Sequence, residues 1–379
     1  MRIVLTHPYC WPYVRRGAER FIAELARYLS GRGHEVITVS SKPGSAAVET
    51  SRDGKRILRR QLWHPAMAKI RLQPTHLFFF SSLLALARLK ADVIHSAFYT
   101  DAWAATLLKR WRRHATVYQV TGPPVPTHFP RIPPDRWVLR QAIRAADCRL
   151  VHSEFTRGIV STHYGIDAEV IPVPVDLDAF PLGSGGRPRR PTILCVASFD
   201  ERRKGLAVLV KAFELVKKAV PSAVLQCSGQ MSAGVQAEVL ATVPDAVRSD
   251  IAVLGVGALQ DVSSLYRNAS VTVLPSMWEA YGMVVIESWA SGTPVVVTNH
   301  GGLPELVDDR SVGLMFEPQT AGFETTNAAG LAEAILAGLA LAERPETRER
   351  CRARAERYSW SVVGPAYEQL YSRIQKGGR

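Results

Sequence analysis

Twice along its length the chain alternates short apolar runs with helical patterns, and that rhythm restricts it to stacked β-α-β units. Residues 2–6 form a short apolar strand, and a polar loop follows to Gly17. From Glu19 to Leu29 the apolar residues are Phe21, Ile22, Leu25, Ala26 and Leu29, the spacing of one helix face. Gly31 and Gly33 stop that helix, and residues 35–40 make the second strand. Such units generate parallel sheets with right-handed crossovers. Later strands are expected at 91–95, 116–120, 149–153 and 169–173. The stretch PLGSGGRPRRP after Phe180 can neither pack nor continue an element and reads as a linker, residues 181–191. A second series opens at 192–197 and continues with strands at 223–227, 251–254, 270–275, 294–298 and 313–316, with helices at 206–220 and 331–341. The expected fold class is α/β: two Rossmann-like domains, 1–180 and 192–358, facing across a cleft. An amphipathic helix within 359–379 closes the chain, with Val362, Val363, Ala366, Tyr367, Leu370 and Ile374 on one side.

The length of 379 residues supports two domains, and 47% hydrophobic residues suffice for two cores. Five cysteines (Cys10, Cys148, Cys195, Cys227, Cys351) lack any C-x-x-C spacing, which argues against a disulfide framework or a zinc site and for a reducing cytoplasm. The start MRIVLTHPYC has no long apolar region of the signal-peptide type, and the greasy residues 77–87 end at Arg88 and Lys90, well short of the roughly 20 residues of a spanning helix. Charge is uneven. Up to Asp178 there are 26 Lys and Arg against 14 Asp and Glu; the remainder has 21 against 20. The first half therefore suits an anionic partner, whether lipid headgroups, a lipid phosphate or nucleic acid, with a solvated basic surface as the plain alternative.

The chemistry concentrates in residues 274–296, LPSMWEAYGMVVIESWASGTPVV. Glu279 and Glu287 are eight residues apart. On one helix that is roughly 80° of rotation and about 12 Å of rise, so the carboxylates cannot grip one atom but can grip two ends of a long ligand. Between them the helix start at Tyr281, Gly282, Met283 and Val284 offers backbone N–H groups and a positive dipole end, suited to a pyrophosphate.

That stretch resembles the Glu-x7-Glu motif of the retaining glycosyltransferase family 4, whose fold is GT-B. Four further segments are similar to the family: HSEFTRGIVSTHYGIDAEVIPVPVDLDAF, VASFDERRKG, GGLPELV and YSWSVVGPAYEQLY. The resemblance implies transfer of a hexose-type sugar from a UDP- or GDP-linked donor to an acceptor hydroxyl, with retention of configuration and no protein nucleophile. The acceptor class stays open between lipid-linked, glycan and small natural-product molecules. The resemblance further implies that the closing helix packs back on the first domain. It implies that Glu287 holds ribose hydroxyls, Glu279 the donor-sugar hydroxyls, the amides of Tyr281 to Val284 the sugar and phosphates, and Lys204 the leaving diphosphate. The family Arg six residues before this Lys is Ser198 here, so either Arg202 or Arg203 reaches the phosphates or the site carries less positive charge. Gly17 keeps one glycine of a paired-glycine loop near the donor phosphate, Arg16 replacing the other; an ordinary helix start is the alternative. His95 ends a strand where ligand crevices form and matches the first His of a family pattern whose second position is Ala97, although such a His also serves as packing; His128 lies in a Pro-rich loop.

Neither a catalytic metal nor another cofactor is expected, with the nucleotide sugar as co-substrate and the helix start and Lys204 left to do the electrostatic work. Residues 78–80 with Leu83, Leu84 and Leu86 follow a basic run and suit either a membrane-surface element or a core helix after a basic hairpin. The expected place is the cytoplasm, with the inner membrane face as a site the basic half fits. Three other activities compete for such a scaffold. A nicotinamide oxidoreductase fails because HPYCWPYVRRG has no G-x-G-x-x-G. An epimerase or phosphorylase on the same scaffold needs no acceptor hydroxyl. A basic non-catalytic binder of nucleic acid needs ordered aromatic and basic motifs that the chain lacks, so nucleic acid is not an expected partner.

Overall fold

The computed structural model describes residues 1–51, 53–60, 73–125, 133–183, 188–256, 261–321 and 324–377. His128, and the basic residues Arg52, Lys69 and Arg71 of the run before the greasy segment, lie outside the described residues.

The chain divides into two compact units, Met1–Pro174 with Val363–Arg379, and Val175–Val362. The first begins with β1 (Arg2–Thr6), α1 (Gly17–Gly31), β2 (Glu35–Lys42), and the hairpin β3 (Ala47–Ser51) and β4 (Gly54–Arg60). It continues with α2 (Pro74–Leu86), β5 (Val93–Ser96), α3 (Tyr99–Leu108), β6 (Ala115–Gln119), α4 (Pro133–Ala145), β7 (Cys148–Val151), α5 (Glu154–Tyr164) and β8 (Glu169–Val170). Its sheet runs β3-β4-β2-β1-β5-β6-β7-β8, parallel except for β3 against β4. The periodic residues of α1, Phe21, Ile22, Leu25, Ala26 and Leu29, are all buried. Each large one removes enough apolar surface from water to contribute roughly 1.5–3 kcal/mol, which holds the helix to the sheet. Helix α5 starts on Ser153, whose hydroxyl accepts the Thr156 N–H, a cap worth about 1 kcal/mol.

The second unit carries β9 (Thr192–Val196), a 3₁₀ turn (Arg202–Lys204), α6 (Leu206–Ala219), β10 (Val224–Ser228), α7 (Ala233–Leu240), α8 (Asp245–Arg248), β11 (Ile251–Gly255), α9 (Val262–Arg267) and β12 (Val271–Leu274). Then follow α10 (Met283–Ala290), β13 (Val295–Thr298), α11 (Leu303–Leu306), β14 (Gly313–Phe316), the short pair β15 (Thr320–Ala321) and β16 (Glu324–Thr325), α12 (Ala328–Ala342), α13 (Thr347–Glu356) and α14 (Trp360–Gly377). Its main sheet has the order β11-β10-β9-β12-β13-β14. Counted from its own first strand this is 3-2-1-4-5-6, the doubly wound order, with the direction of winding reversing between β9 and β12. The strands are mostly apolar or β-branched because helices cover both faces; Ile193, Val271 and Val296 share one core with Leu209, Phe213, Leu331 and Ile335.

The division falls at Pro174/Val175, ahead of the 181–191 linker. Val175 N–H donates to the Tyr358 carbonyl at 2.8 Å, and the Phe180 ring lies 6.0 Å from Tyr266, so 175–180 pack with the second unit. The residues of α14 from Val363 onward belong to the first: Tyr367 meets Phe21 at 5.8 Å, and Tyr28 donates to Glu368 at 2.9 Å. The strand expected at 169–173 is reduced to two residues. All five cysteines are free and buried.

Candidate active site

In an open α/β sheet ligands bind beyond the carboxyl ends of the strands, at the point where the winding reverses. In the second unit that point lies between β9 and β12, which pair directly, Ile193 with Val271 and Leu194 with Thr272. The loop after β9 makes the turn that carries Arg202, Arg203 and Lys204; the loop after β12 carries Glu279. Met277 N–H donates to the Arg203 carbonyl at 2.7 Å and ties the two loops. Gly205, at φ +73°, ends the turn where a Cβ would stand 2.3 Å from the Pro275 carbonyl oxygen, so only glycine lets the loops approach this closely.

The result is an ion pair. Lys204 Nζ donates to Glu279 Oε2 at 2.6 Å, with the two side chains 16% and 18% exposed. Arg203 Nη1 stands 3.8 Å from the same oxygen. Burial pushes the Glu279 carboxyl up, but the Lys204 ammonium and then the Arg203 guanidinium outweigh it and hold it below the ordinary carboxylate range. Glu279 is therefore ionised at neutral pH, a hydrogen-bond acceptor rather than an acid. Arg203 also pairs with Glu201 at 2.6 Å. Arg202 points elsewhere, 3.9 Å from Glu238. Ser198 is half-buried, its carbonyl accepting Glu201 N–H at 3.2 Å. Of the two arginines in RRKG, Arg203 is the one beside Glu279.

A third loop, after β13, fixes the second. Gly302 N–H donates to the Glu279 carbonyl at 2.9 Å, and Trp278 N–H to His300 Nδ1 at 3.3 Å. Trp278 is held at φ +57°, a conformation that persists in a non-glycine residue only where its surroundings enforce it. Gly301 makes room, since a Cβ there would stand 2.5 Å from the Glu279 carbonyl oxygen.

Tyr281 is buried, and Gly282 at φ +102° caps α10, whose first turn holds Met283 and Val284. The opening N–H groups of a helix have no acceptor inside it, so a turn of this kind, immediately after Glu279, is suited to an anion. Glu287 lies on the second turn of α10, 4% exposed, and its Oε2 accepts the Tyr266 hydroxyl at 2.9 Å. Tyr266 and the 300–302 loop reach the motif only through tertiary packing, and the sequence marks them by nothing more than a His just past a strand end at His300.

The structure brings Lys204, Arg203, Glu279 and the start of α10 together. Gly17 and His95 belong to the other unit. Gly17 opens α1, with Arg16 before it bound to Glu19 at 2.6 Å and stacked 4.9 Å over Tyr9. His95 is fully buried: Tyr371 hydroxyl meets Nδ1 at 2.6 Å, and Nε2–H donates to Gln119 Oε1 at 2.8 Å. The ring presents no atom to solvent and is a neutral packing residue in this conformation. Burial pushes its pKa down from 6.5 to about 3. Folded protein thus binds the proton later than unfolded chain, so the stability linked to a neutral His95 is present above pH 6.5 and is lost as pH falls toward 3. Between pH 7 and 4 the stability of wild type relative to His95→Gln should fall by a few kcal/mol, on the order of 1.4 per pKa unit crossed. Urea titrations of both proteins check this, and a gap independent of pH would show that the ring is not a buried neutral group.

Two family models match: Glycosyltransferase Family 4 over residues 15–179 and Glycosyl transferases group 1 over residues 190–340. The chain is 27% identical to the D-inositol 3-phosphate glycosyltransferase of Corynebacterium jeikeium, an alignment covering 96% of this chain and 93% of that one. Among solved structures, the sucrose-phosphate synthase of Thermosynechococcus elongatus superposes with TM-score 0.82 at 21% identity over 99% of both chains. Anabaena HepE in complex with UDP-glucose gives TM-score 0.70 at 16% identity, over 98% of this chain and 100% of that one. With the two domain types in this order and both main sheets parallel apart from the edge strand β3, the chain belongs to the family-4 glycosyltransferases and has their GT-B fold.

Proposed function

We propose that this glycosyltransferase draws its sugar from a nucleotide diphosphate sugar, UDP- or GDP-linked, and passes a hexose to an acceptor hydroxyl with retention of configuration. The observation that carries the reading is the 2.6 Å pair of Lys204 and Glu279 at the winding reversal, directly before the start of α10. A cation and a carboxylate set side by side suit a ligand that is anionic at one end and hydroxylated at the other. The diphosphate faces Lys204, Arg203 and the amides of Met283 and Val284; the sugar hydroxyls donate to Glu279. Glu287, oriented by the Tyr266 hydroxyl, takes the ribose. The HepE complex with UDP-glucose supports a donor of this class.

As the bond between the anomeric carbon and phosphate oxygen breaks, negative charge builds on the diphosphate, and Lys204 meets it as a point charge. Glu279, held ionised, has no proton to give. The acceptor hydroxyl attacks from the face the nucleotide leaves, its proton passes to the departing phosphate oxygen, and the new glycosidic bond keeps the donor's configuration. No metal ion or protein nucleophile is required.

A ligand that binds only the folded protein raises its melting temperature. Of UDP-, GDP- and dTDP-sugars, UDP- or GDP-sugars should raise it for wild type and much less for Glu287→Ala, where lost ribose contacts weaken binding by about tenfold or more, roughly 1.4 kcal/mol. If neither UDP- nor GDP-sugars shift wild type, the donor assignment is wrong. A product of inverted anomeric configuration, read by proton NMR, overturns the retaining step.

A further inference from the structure

The first unit carries an exposed aromatic face that the donor chemistry does not use. Helices α2, α3 and α4 lie side by side, and their aromatic rings form a ladder: Phe79 stacks on Trp103 at 4.9 Å, and Trp103 meets Trp137 edge-on at 5.1 Å. Helix α2 is apolar all round. Its inner residues Phe78 and Leu86 pack with Val4, Val39 and Ile94 of the sheet, which answers half of the sequence expectation for this segment. Its outer ridge, Phe80 and Leu84, is 62% and 53% exposed, Trp137 is 52% exposed, and Trp111, in the loop after α3, is 75% exposed. Soluble surfaces carry such residues singly; here they recur on adjacent elements.

The exposed charge of this stretch is mostly of one sign. Between Gln73 and Asp147 the sequence has ten Lys and Arg, four Asp and no Glu. The four acids are engaged within the unit: Asp92 accepts the Arg2 N–H at 2.7 Å, Asp101 is fully buried beside Thr6, Asp135 is buried with His76 at 2.7 Å, and Asp147 binds Lys109 and Thr116. The bases point outward, with Arg88, Lys90, Arg110, Arg113, Arg140 and Arg144 all exposed. Arg112 donates to the Ala87 carbonyl and ties the Trp111 loop to the end of α2, placing bases and indole together.

We propose that this face of the first unit docks on a membrane surface containing anionic phospholipid. Phe80 and Leu84 enter the acyl boundary, Trp111 and Trp137 lie at headgroup level, and the arginines and lysines lie among the lipid phosphates. An apolar ridge beside indoles fits a bilayer, whereas a nucleic-acid strand offers Leu84 nothing to pack on. Among the described residues no helix is long and apolar enough to cross a membrane, so the contact is peripheral. The inference is independent of the donor reading, because no residue of the donor site takes part.

The full chain should cosediment with vesicles of phosphatidylcholine mixed with phosphatidylglycerol, and far less with phosphatidylcholine alone or in high salt. The double change Phe80→Ser with Leu84→Ser and the charge change Arg110→Gln with Arg113→Gln should each weaken that partition by about tenfold, since each removes apolar area or phosphate attraction. Both should leave the nucleotide-sugar melting shift unaltered, which separates a failure here from a failure of the donor site. Equal binding to neutral and anionic vesicles, wild-type binding by both variants, or preferential capture of single-stranded RNA over anionic vesicles would each overturn the proposal.

Discussion

Lys204→Ala should lower kcat for sugar transfer by about 10²- to 10³-fold, the usual effect of removing one preorganised donor from developing transition-state charge. Lys204 is held 16% exposed by a turn that Gly205 and the Arg203–Met277 hydrogen bond fix before any ligand arrives, so little reorganisation is needed when charge appears. The same substitution removes the principal cation opposing burial at Glu279, so that carboxyl should titrate at higher pH than in wild type. Lys204→Arg should not restore turnover, because a planar fork on a longer stem cannot replace a compact ammonium in a packed turn. Initial rates at saturating donor, with circular dichroism to verify the fold, test this. Near-normal turnover by Lys204→Ala would remove the diphosphate from this site.

Gly301→Ala should be nearly as damaging although residue 301 is expected to touch no substrate. At φ +74° a Cβ would stand 2.5 Å from the Glu279 carbonyl oxygen and 3.1 Å from its nitrogen, so the backbone of Glu279 has to move. A displacement near 1 Å of a positioned group costs on the order of 10²-fold in rate. Gly255→Ala is the control: its φ of +62° carries the same kind of backbone strain, roughly 1–3 kcal/mol, but a Cβ there meets nothing within 4 Å. Both variants should lose stability in denaturant titrations, Gly301→Ala the more because of its added backbone clash, and only Gly301→Ala should lose transfer. If the two lose activity equally, the loop after β13 does not position Glu279.

The architecture of the second unit was largely legible because its signals are local. The apolar strand at 271–274, the helix at 283–290 and the basic turn at 202–204 are each written in consecutive residues, and the order of units predicts that their loops meet at one sheet edge. The same locality is why residues 78–80 gave two readings: composition says a helix is apolar all round but not which ridge the sheet covers. Packing decided that Phe78 turns inward and Phe80 outward.

By itself, then, the sequence determined two series of parallel β-α units, the helix that closes the chain, and the pairing of Glu279 with a helix start, because hydrophobic period and turn residues act within a few positions. Tertiary structure alone decided that Arg203 rather than Arg202 lies beside Glu279, that Tyr266 orients Glu287, and that His95 is sealed against Tyr371 from 276 residues away. Those contacts join elements far apart in the chain, and no local pattern specifies which side chain a distant element will meet.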